Sequence, residues 1–207
     1  MVKQIIKISE VFESLQGEGK YVGYPALFIR LSGCNRACDF CDTKYHTNGK
    51  DMNINEIKDK INNSKLERVI WTGGEPMLQK EEIQEIMNYT QLYKHQLETN
   101  GDIYPLSPYS FEYIAISPKS KKALDKTLEF YNKINFPKDR YDIKVVTDLE
   151  SLNLNMLYDA TMLMPLSTGI KERDLQIEKE VWNYCVEYNI KYTPRIHRDV
   201  WGEKIGV

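Results

Sequence analysis

Short β-type runs alternate with helical patterns along most of the chain, and this alternation is the tightest constraint on its fold. ALFIRL (26–31), RVIWT (68–72), HQLET (95–99), YIAIS (113–117), DIKVVT (142–147), ATMLMPL (160–166) and a run at 190–196 read as strands. Helical patterns lie at 54–61, 81–90, 121–133 and 174–188. In INEIKDKI, residues Ile54, Ile57 and Ile61 share one face, with Asn53 as N-cap and Glu56 three residues on. EEIQEIMNYT places Ile83, Ile86 and Met87 on one face. This order predicts an α/β fold with a mostly parallel sheet and helical crossovers. Right-handed crossovers wind such a sheet toward a barrel. Six βα units are too few for a full eight-fold barrel of about 250 residues. The expectation is an incomplete, partial TIM-like barrel, one domain over residues 1–207.

Charge and hydropathy then remove function classes. Lys and Arg number 28 against 30 Asp and Glu, a net charge of −2, which supports neither a nucleic-acid partner nor a membrane surface. MVKQIIKISEVFES lacks the apolar core of a signal peptide, and no apolar run approaches the ~20 residues of a membrane span. The expected location is cytoplasmic, where thiols stay reduced and a cysteine cluster points to metal binding or catalysis.

Three of the chain's four cysteines, Cys34, Cys38 and Cys41, stand in one loop, GCNRACDFCDTKYH, with the spacing C-x3-C-x2-C. Three thiolates can hold three irons of a 4Fe–4S cube and leave the fourth open to an outside ligand; electron-transfer clusters use four cysteines. A zinc site completed by His46 or Cys185 would use the same donors, although the spacing is not the usual paired knuckle. Cys185 shares a helical face with Ile177 and Val181 and reads as a small core residue. The cysteine loop, GGEP (73–76), TNG (99–101) and SPK (117–119) each follow the end of a predicted strand. In α/β sheets that edge binds ligands.

CNRACDFC resembles the signature of radical S-adenosylmethionine (SAM) enzymes, and GGEP resembles the superfamily's glycine-rich element beside the methionine amino group. Two glycines admit a close backbone approach, and Glu75 can accept from an ammonium. The resemblance implies a 4Fe–4S cluster on Cys34, Cys38 and Cys41 whose open iron binds SAM and whose electron releases a 5′-deoxyadenosyl radical. SLQGEG (14–19), Arg30, CDTKYH, SPK and the ending PRIHRDVWGEKIGV are together similar to the 7-carboxy-7-deazaguanine synthase family. That family is a carbon–nitrogen lyase of 7-deazapurine and queuosine biosynthesis. It converts 6-carboxy-5,6,7,8-tetrahydropterin to 7-carboxy-7-deazaguanine with loss of ammonia.

By the same resemblance, Leu15, Gln16, Gly17, Glu18, Arg30, Thr72, His197 and the carboxylate of Val207 would bind substrate. Phe40, Cys41, Asp42, Gly74, Glu75, Asn100, Ser117, Pro118 and Lys119 would bind SAM, and Thr43 would bind Mg²⁺. No side chain is assigned as catalytic, because the radical is cofactor-borne. His46 and His95 receive no role. An electron donor such as flavodoxin or ferredoxin and a homodimer are also implied. Two other readings share the cysteine loop. A small radical SAM activase acting on a protein partner gives no reason for SLQGEG, CDT or the terminal His segment. A zinc-stabilised binding module would be no enzyme at all.

Overall fold

The computed structural model describes residues 4–38, 48–202, 204 and 206. Their strands are β1 (Ile5–Leu15), β2 (Pro25–Leu31), β3 (Lys50–Asn53), β4 (Arg68–Gly73), β5 (Lys94–Thr99), β6 (Tyr113–Ile116), β7 (Tyr141–Thr147), β8 (Met162–Pro165) and β9 (Lys191–Tyr192). They form one sheet in the order β3-β1-β2-β4-β5-β6-β7-β8-β9. Every pairing from β2 through β9 is parallel, while β1 runs antiparallel to both β2 and β3. β3 and β9 are its two edges, so the sheet does not close.

The helices are α1 (Ile54–Asn63), α2 (Lys80–Tyr89), α3 (Lys121–Lys133), α4 (Lys171–Tyr188) and α5 (Ile196–Trp201). Local chemistry sets their starts. The Asn53 side chain accepts from the Asn55 amide to cap α1, and Ser120 accepts from Ala123 to cap α3. The apolar stripes of α1 to α4 meet one face of the sheet. Ile54, Ile57 and Ile61 of α1, Ile83, Ile86 and Met87 of α2, Leu124 of α3, and Ile177, Val181 and Cys185 of α4 belong to one buried cluster. The strands supply Leu27, Ile29, Leu31, Val69, Trp71, Leu97, Ile114, Ile143, Val145 and Leu163 to it.

Side chains alternate across a strand, so the intervening residues share the opposite face. That face has a small apolar cluster of Ala26, Phe28 and Ile70, with Phe12 stacked on Phe28, and β6 to β8 add buried Tyr113, Ala115, Val146, Met162 and Met164. Between these stand charged or polar side chains, Glu10, Arg30, Arg68, Gln96, Glu98, Asp142 and Lys144. Parallel sheets normally cover both faces with helices. Here one face is covered and the other is polar, as the inside of an incomplete barrel requires.

Three local expectations change. β1 and β3 are strands that the sequence expectation does not include; in β1 a bulge between Ile8 and Glu10 shifts the register. The buried positions Ile6 and Ile8 are followed on the same face by Val11 rather than by residue 10. The run at 190–196 stays a strand only for Lys191–Tyr192. Pro194 has no amide to extend the ladder, and Ile196–Trp201 turns into helix. The crossovers β5–β6 and β7–β8 carry 3-10 turns, at Pro108–Ser110 and Leu154–Asp159, instead of α-helices.

Candidate functional site

The carboxyl edge of the sheet is a mesh in which each motif ties down another. After β4, the Gly74 amide donates to Leu31 O (3.2 Å) and the Glu75 amide to Gly33 O (2.9 Å). A Cβ on Gly74 would stand 2.0 Å from Gly33 O, so only glycine lets the GGEP loop lie on the root of the cysteine loop. The Glu75 side chain turns inward and is fully buried. Its carboxylate accepts from the Met77 amide (2.9 Å), the Thr99 hydroxyl (2.8 Å) and the Asn100 amide (2.7 Å). Burial pushes its pKa up, against those three donors. Glu75 thus caps the turn Pro76–Gln79 and fastens the end of β4 to the end of β5, and its three donors are the protein's own. Glu75→Gln would aim an amide NH₂ at one of these donors. It is expected to lower the stability of the metal-free chain by about 1–3 kcal/mol in thermal or denaturant unfolding, and an unchanged stability would contradict this anchoring role.

Two of the three loop cysteines are described. Cys34 and Cys38 are partly buried thiols, and the Arg36 amide points at Cys34 Sγ from 3.4 Å. Asn100 Nδ2 donates to Asn35 Oδ1 at 2.8 Å, and Asn100 Oδ1 accepts from the Asp102 amide at 3.0 Å. Phe40, Cys41, Asp42, Thr43, His46 and Val207 lie outside the described residues. Ser117 donates its amide to Thr99 O (2.7 Å), which places Ser117–Lys119 beside the TNG segment. Thiolate donors beside glycine backbone, with an N–H directed at sulfur, suit an iron–sulfur cluster. Cys185 is elsewhere, in the core beneath β9, with Sγ 3.7 Å from Lys191 O. Burial pushes its thiol up to about 11, away from the thiolate a metal needs.

The predicted substrate residues gather on the polar face. The loop after β1 folds over it. Gln16 is buried, and its Nε2 donates to Glu98 Oε1 at 3.2 Å. Glu18 Oε2 lies 3.1 Å from Lys144 Nζ, an ion-pair contact outside hydrogen-bond geometry. Lys144 also meets Glu98 Oε2 at 2.8 Å. Burial pulls the Lys144 value down, but Glu18 and Glu98 outweigh it and hold the ammonium above the ordinary lysine value. Burial also raises Glu98, with Lys144 pulling against it and Glu18 adding to the rise.

Gly17 sits under His197: a Cβ there would stand 2.0 Å from His197 Nδ1, and Ile196 N donates to Gly17 O at 3.0 Å. Arg30 Nε is fixed by Glu10 Oε2 at 2.7 Å, and its guanidinium lies over Phe12. Leu15 ends β1 half-exposed, and Thr72 is partly buried near the end of β4.

Residues 28–143, more than half of the chain, match the radical SAM superfamily. The 7-carboxy-7-deazaguanine synthase of Aquifex aeolicus is 29% identical over 206 residues, covering 94% of this chain and 93% of that one. The synthase of Thermoplasma acidophilum is 30% identical over 211 residues, covering 97% and 99%. The chain belongs to the 7-carboxy-7-deazaguanine synthase family. Its fold also matches the crystal structure of QueE from Escherichia coli, with a TM-score of 0.67, 22% identity and coverage of 92% and 93%. At that identity the match speaks for the fold alone.

Within this synthase-family chain, Gln16, Gly17, Glu18, Arg30 and His197 share the polar face or its rim, while Gly74, Glu75, Asn100 and Ser117 share the carboxyl edge. Glu10, Glu98, Lys144 and Asp102 had no motif to mark them. The available signal was charge at alternate positions of strands otherwise rich in apolar residues, as in HQLET and DIKVVT.

Proposed function

We propose that this chain converts 6-carboxy-5,6,7,8-tetrahydropterin to 7-carboxy-7-deazaguanine with loss of ammonia, as the names of its relatives indicate, within one radical SAM domain over 1–207. The observation that carries this reading is the acceptor-rich polar face under the QGEG loop. Gln96 Oε1 and Glu18 Oε2 are, among the described residues, the buried side-chain atoms without a hydrogen-bond partner. Two carboxylates share a single lysine there. A pyrimidine edge carrying adjacent N–H donors supplies what such a face lacks. Arg30, oriented by Glu10, has the planar fork suited to a ligand carboxylate. Phe12, stacked on Phe28, lies against the Arg30 guanidinium.

Cys34 and Cys38, with Cys41, would hold the 4Fe–4S cluster, which together with SAM supplies a one-electron cleavage that yields a hydrogen-abstracting radical. The chain's own residues bind, orient and exclude water. Gly73–Gly74 offer backbone to the SAM methionine moiety, with Glu75 bracing them from behind. Thr43 would give Mg²⁺ one oxygen, the rest coming from substrate and water. No helix of the described residues is long and apolar enough to cross a membrane. We place the chain in the cytoplasm, served by a flavodoxin- or ferredoxin-type donor. A homodimer is supported by α4 and α5, which expose Trp182, Val186, Val200 and Trp201.

The test is anaerobic reconstitution with iron and sulfide, then turnover of pterin deuterated at C6. Product mass should show loss of ammonia, and the deuterium should appear in 5′-deoxyadenosine or SAM. Label found only in water, or a colourless protein holding one zinc, would defeat the proposal. Thr43→Ala in the same assay should raise the Mg²⁺ needed.

A further inference from the structure

The stretch between Cys34 and Cys38 is held by a residue that no motif names. Asp102, two residues beyond Asn100, grips Arg36 with both carboxylate oxygens: Nη2 meets Oδ1 at 2.6 Å, and Nε meets Oδ2. Oδ2 also accepts from Asn35 Nδ2 at 2.8 Å. Asn100 reaches the same loop from its other side, through Asn35 Oδ1. Asn35 and Arg36 are thus both tied to the end of β5, sixty-odd residues away in sequence, by a bidentate ion pair and two amide hydrogen bonds. Such a fork fixes orientation as well as distance.

The same loop brings a permanent positive charge, the Arg36 guanidinium, within coulombic reach of Cys38 and Cys34. Arg36 donates its amide to Cys34 Sγ and follows Cys34 by two residues, and Cys38 is two residues further on. A guanidinium beside thiolates stabilises the electron-rich state of whatever they hold, and a carboxylate bound to that guanidinium cancels part of the effect. Cluster potentials respond to net charge and to hydrogen bonds at the sulfurs.

We infer that Asp102 is a positioning residue for the iron–sulfur site: through Arg36 it orders the first two cysteines of the loop and offsets the charge that the loop brings beside them. The Asp102–Arg36 pair then does two separable things. It braces the thiol donors, and it sets the electrostatic environment of the electron that enters there. The inference rests on the cluster reading above and says nothing of substrate.

The experiment uses the full chain reconstituted anaerobically, without SAM or pterin. Two quantities are read: the rate of iron loss to a chelator, and the midpoint potential from a redox titration followed by electron paramagnetic resonance. Asp102→Asn and Arg36→Gln both break the grip, so both should lose iron about 10- to 100-fold faster, the usual cost of removing a support behind a metal ligand. Their potentials should move in opposite directions. Asp102→Asn leaves the guanidinium uncompensated and shifts the potential positive, whereas Arg36→Gln removes it and shifts the potential negative. A purely mechanical brace would not split the two variants in this way. Asp102→Glu keeps the charge and should keep the wild-type potential, and it carries the test if Asp102→Asn does not fold.

Iron loss at the wild-type rate in both variants, potentials that move the same way, or a shifted potential in Asp102→Glu overturns the inference. A wild-type chain that takes up no iron would instead defeat the cluster reading itself.

Discussion

Cys34→Ala and Cys38→Ala should each abolish iron retention and turnover, while Cys185→Ala should retain both. The first two remove a thiol from the carboxyl edge, where the Arg36 amide already points at one sulfur. With three cysteines in the loop, losing one leaves a cube a second iron without a protein thiolate. Cys185 lies in the core with Ile177 and Val181, its thiol held protonated by burial. Its loss costs packing alone, about 1 kcal/mol in an unfolding measurement. Iron and sulfide per chain after anaerobic reconstitution and desalting decide the matter. If Cys185→Ala came out iron-free, or Cys34→Ala kept a full complement, the three-thiolate loop would be the wrong site.

The second large effect is expected at Lys144, in the middle of the polar face. Lys144→Met removes the one cation shared by Glu18 and Glu98 and leaves two carboxylates crowded without it. Breaking a buried pair from one side costs about 3–5 kcal/mol, because the remaining charge keeps its desolvation penalty. The loss carries a pH signature. Burial and Glu18 already raise the Glu98 carboxyl, and removing Lys144 deletes the largest influence pulling it down. A carboxyl raised in the folded state binds its proton more readily folded than unfolded. Stability is therefore gained as pH falls through the raised folded value toward the ordinary carboxylate range, and is lost as pH rises. The deficit relative to wild type should shrink between pH 7 and pH 5 in denaturant unfolding of the metal-free chain. A deficit below about 1 kcal/mol, or one that grows toward acid, would mean that Lys144 is not the counter-ion the geometry makes it.

The sequence exposed what depends on neighbours in the chain and concealed what depends on neighbours in space. Asn53 as a cap, the Ile54–Ile57–Ile61 stripe and the β4 and β7 strands are local facts, and the structure has them. The polar face is not local. Lys144 and Glu98 are 46 residues apart and meet only because β6 separates their strands. Arg30 read as a strand residue with an alternating partner face, but its tie to Glu10 required knowing that β1 exists. Glu75 was legible only in part. A carboxylate at the head of a turn can reach outward to a ligand or back to its own chain, and its ties to Met77, Thr99 and Asn100 needed the neighbouring strand to be seen. His197 sat at the end of a predicted strand, yet Pro194 ends the ladder, and the residue arrives over Gly17 from helix α5.

The sheet's open side has a mechanical meaning of its own. Its two edge strands, β3 and β9, do not pair, and on that side the β1–β2 loop meets the segment after β9 without a ladder. The contact includes two hydrogen bonds, Gly19 N to Thr193 Oγ1 at 2.6 Å and Ile196 N to Gly17 O at 3.0 Å, with His197 laid across them. At about 0.5–1.5 kcal/mol apiece, these are far weaker than a strand's worth of ladder bonds. The molecule therefore has a seam. Along Gly17–Gly19 and 193–197 the two flanks meet without a ladder, and every strand is paired with its neighbour independently of that contact. A flat polar molecule entering there would meet Gln96, Glu98 and Lys144 by taking over the contacts that Gln16 and Glu18 make with Glu98 and Lys144, a rearrangement of one loop that leaves the nine-stranded frame paired.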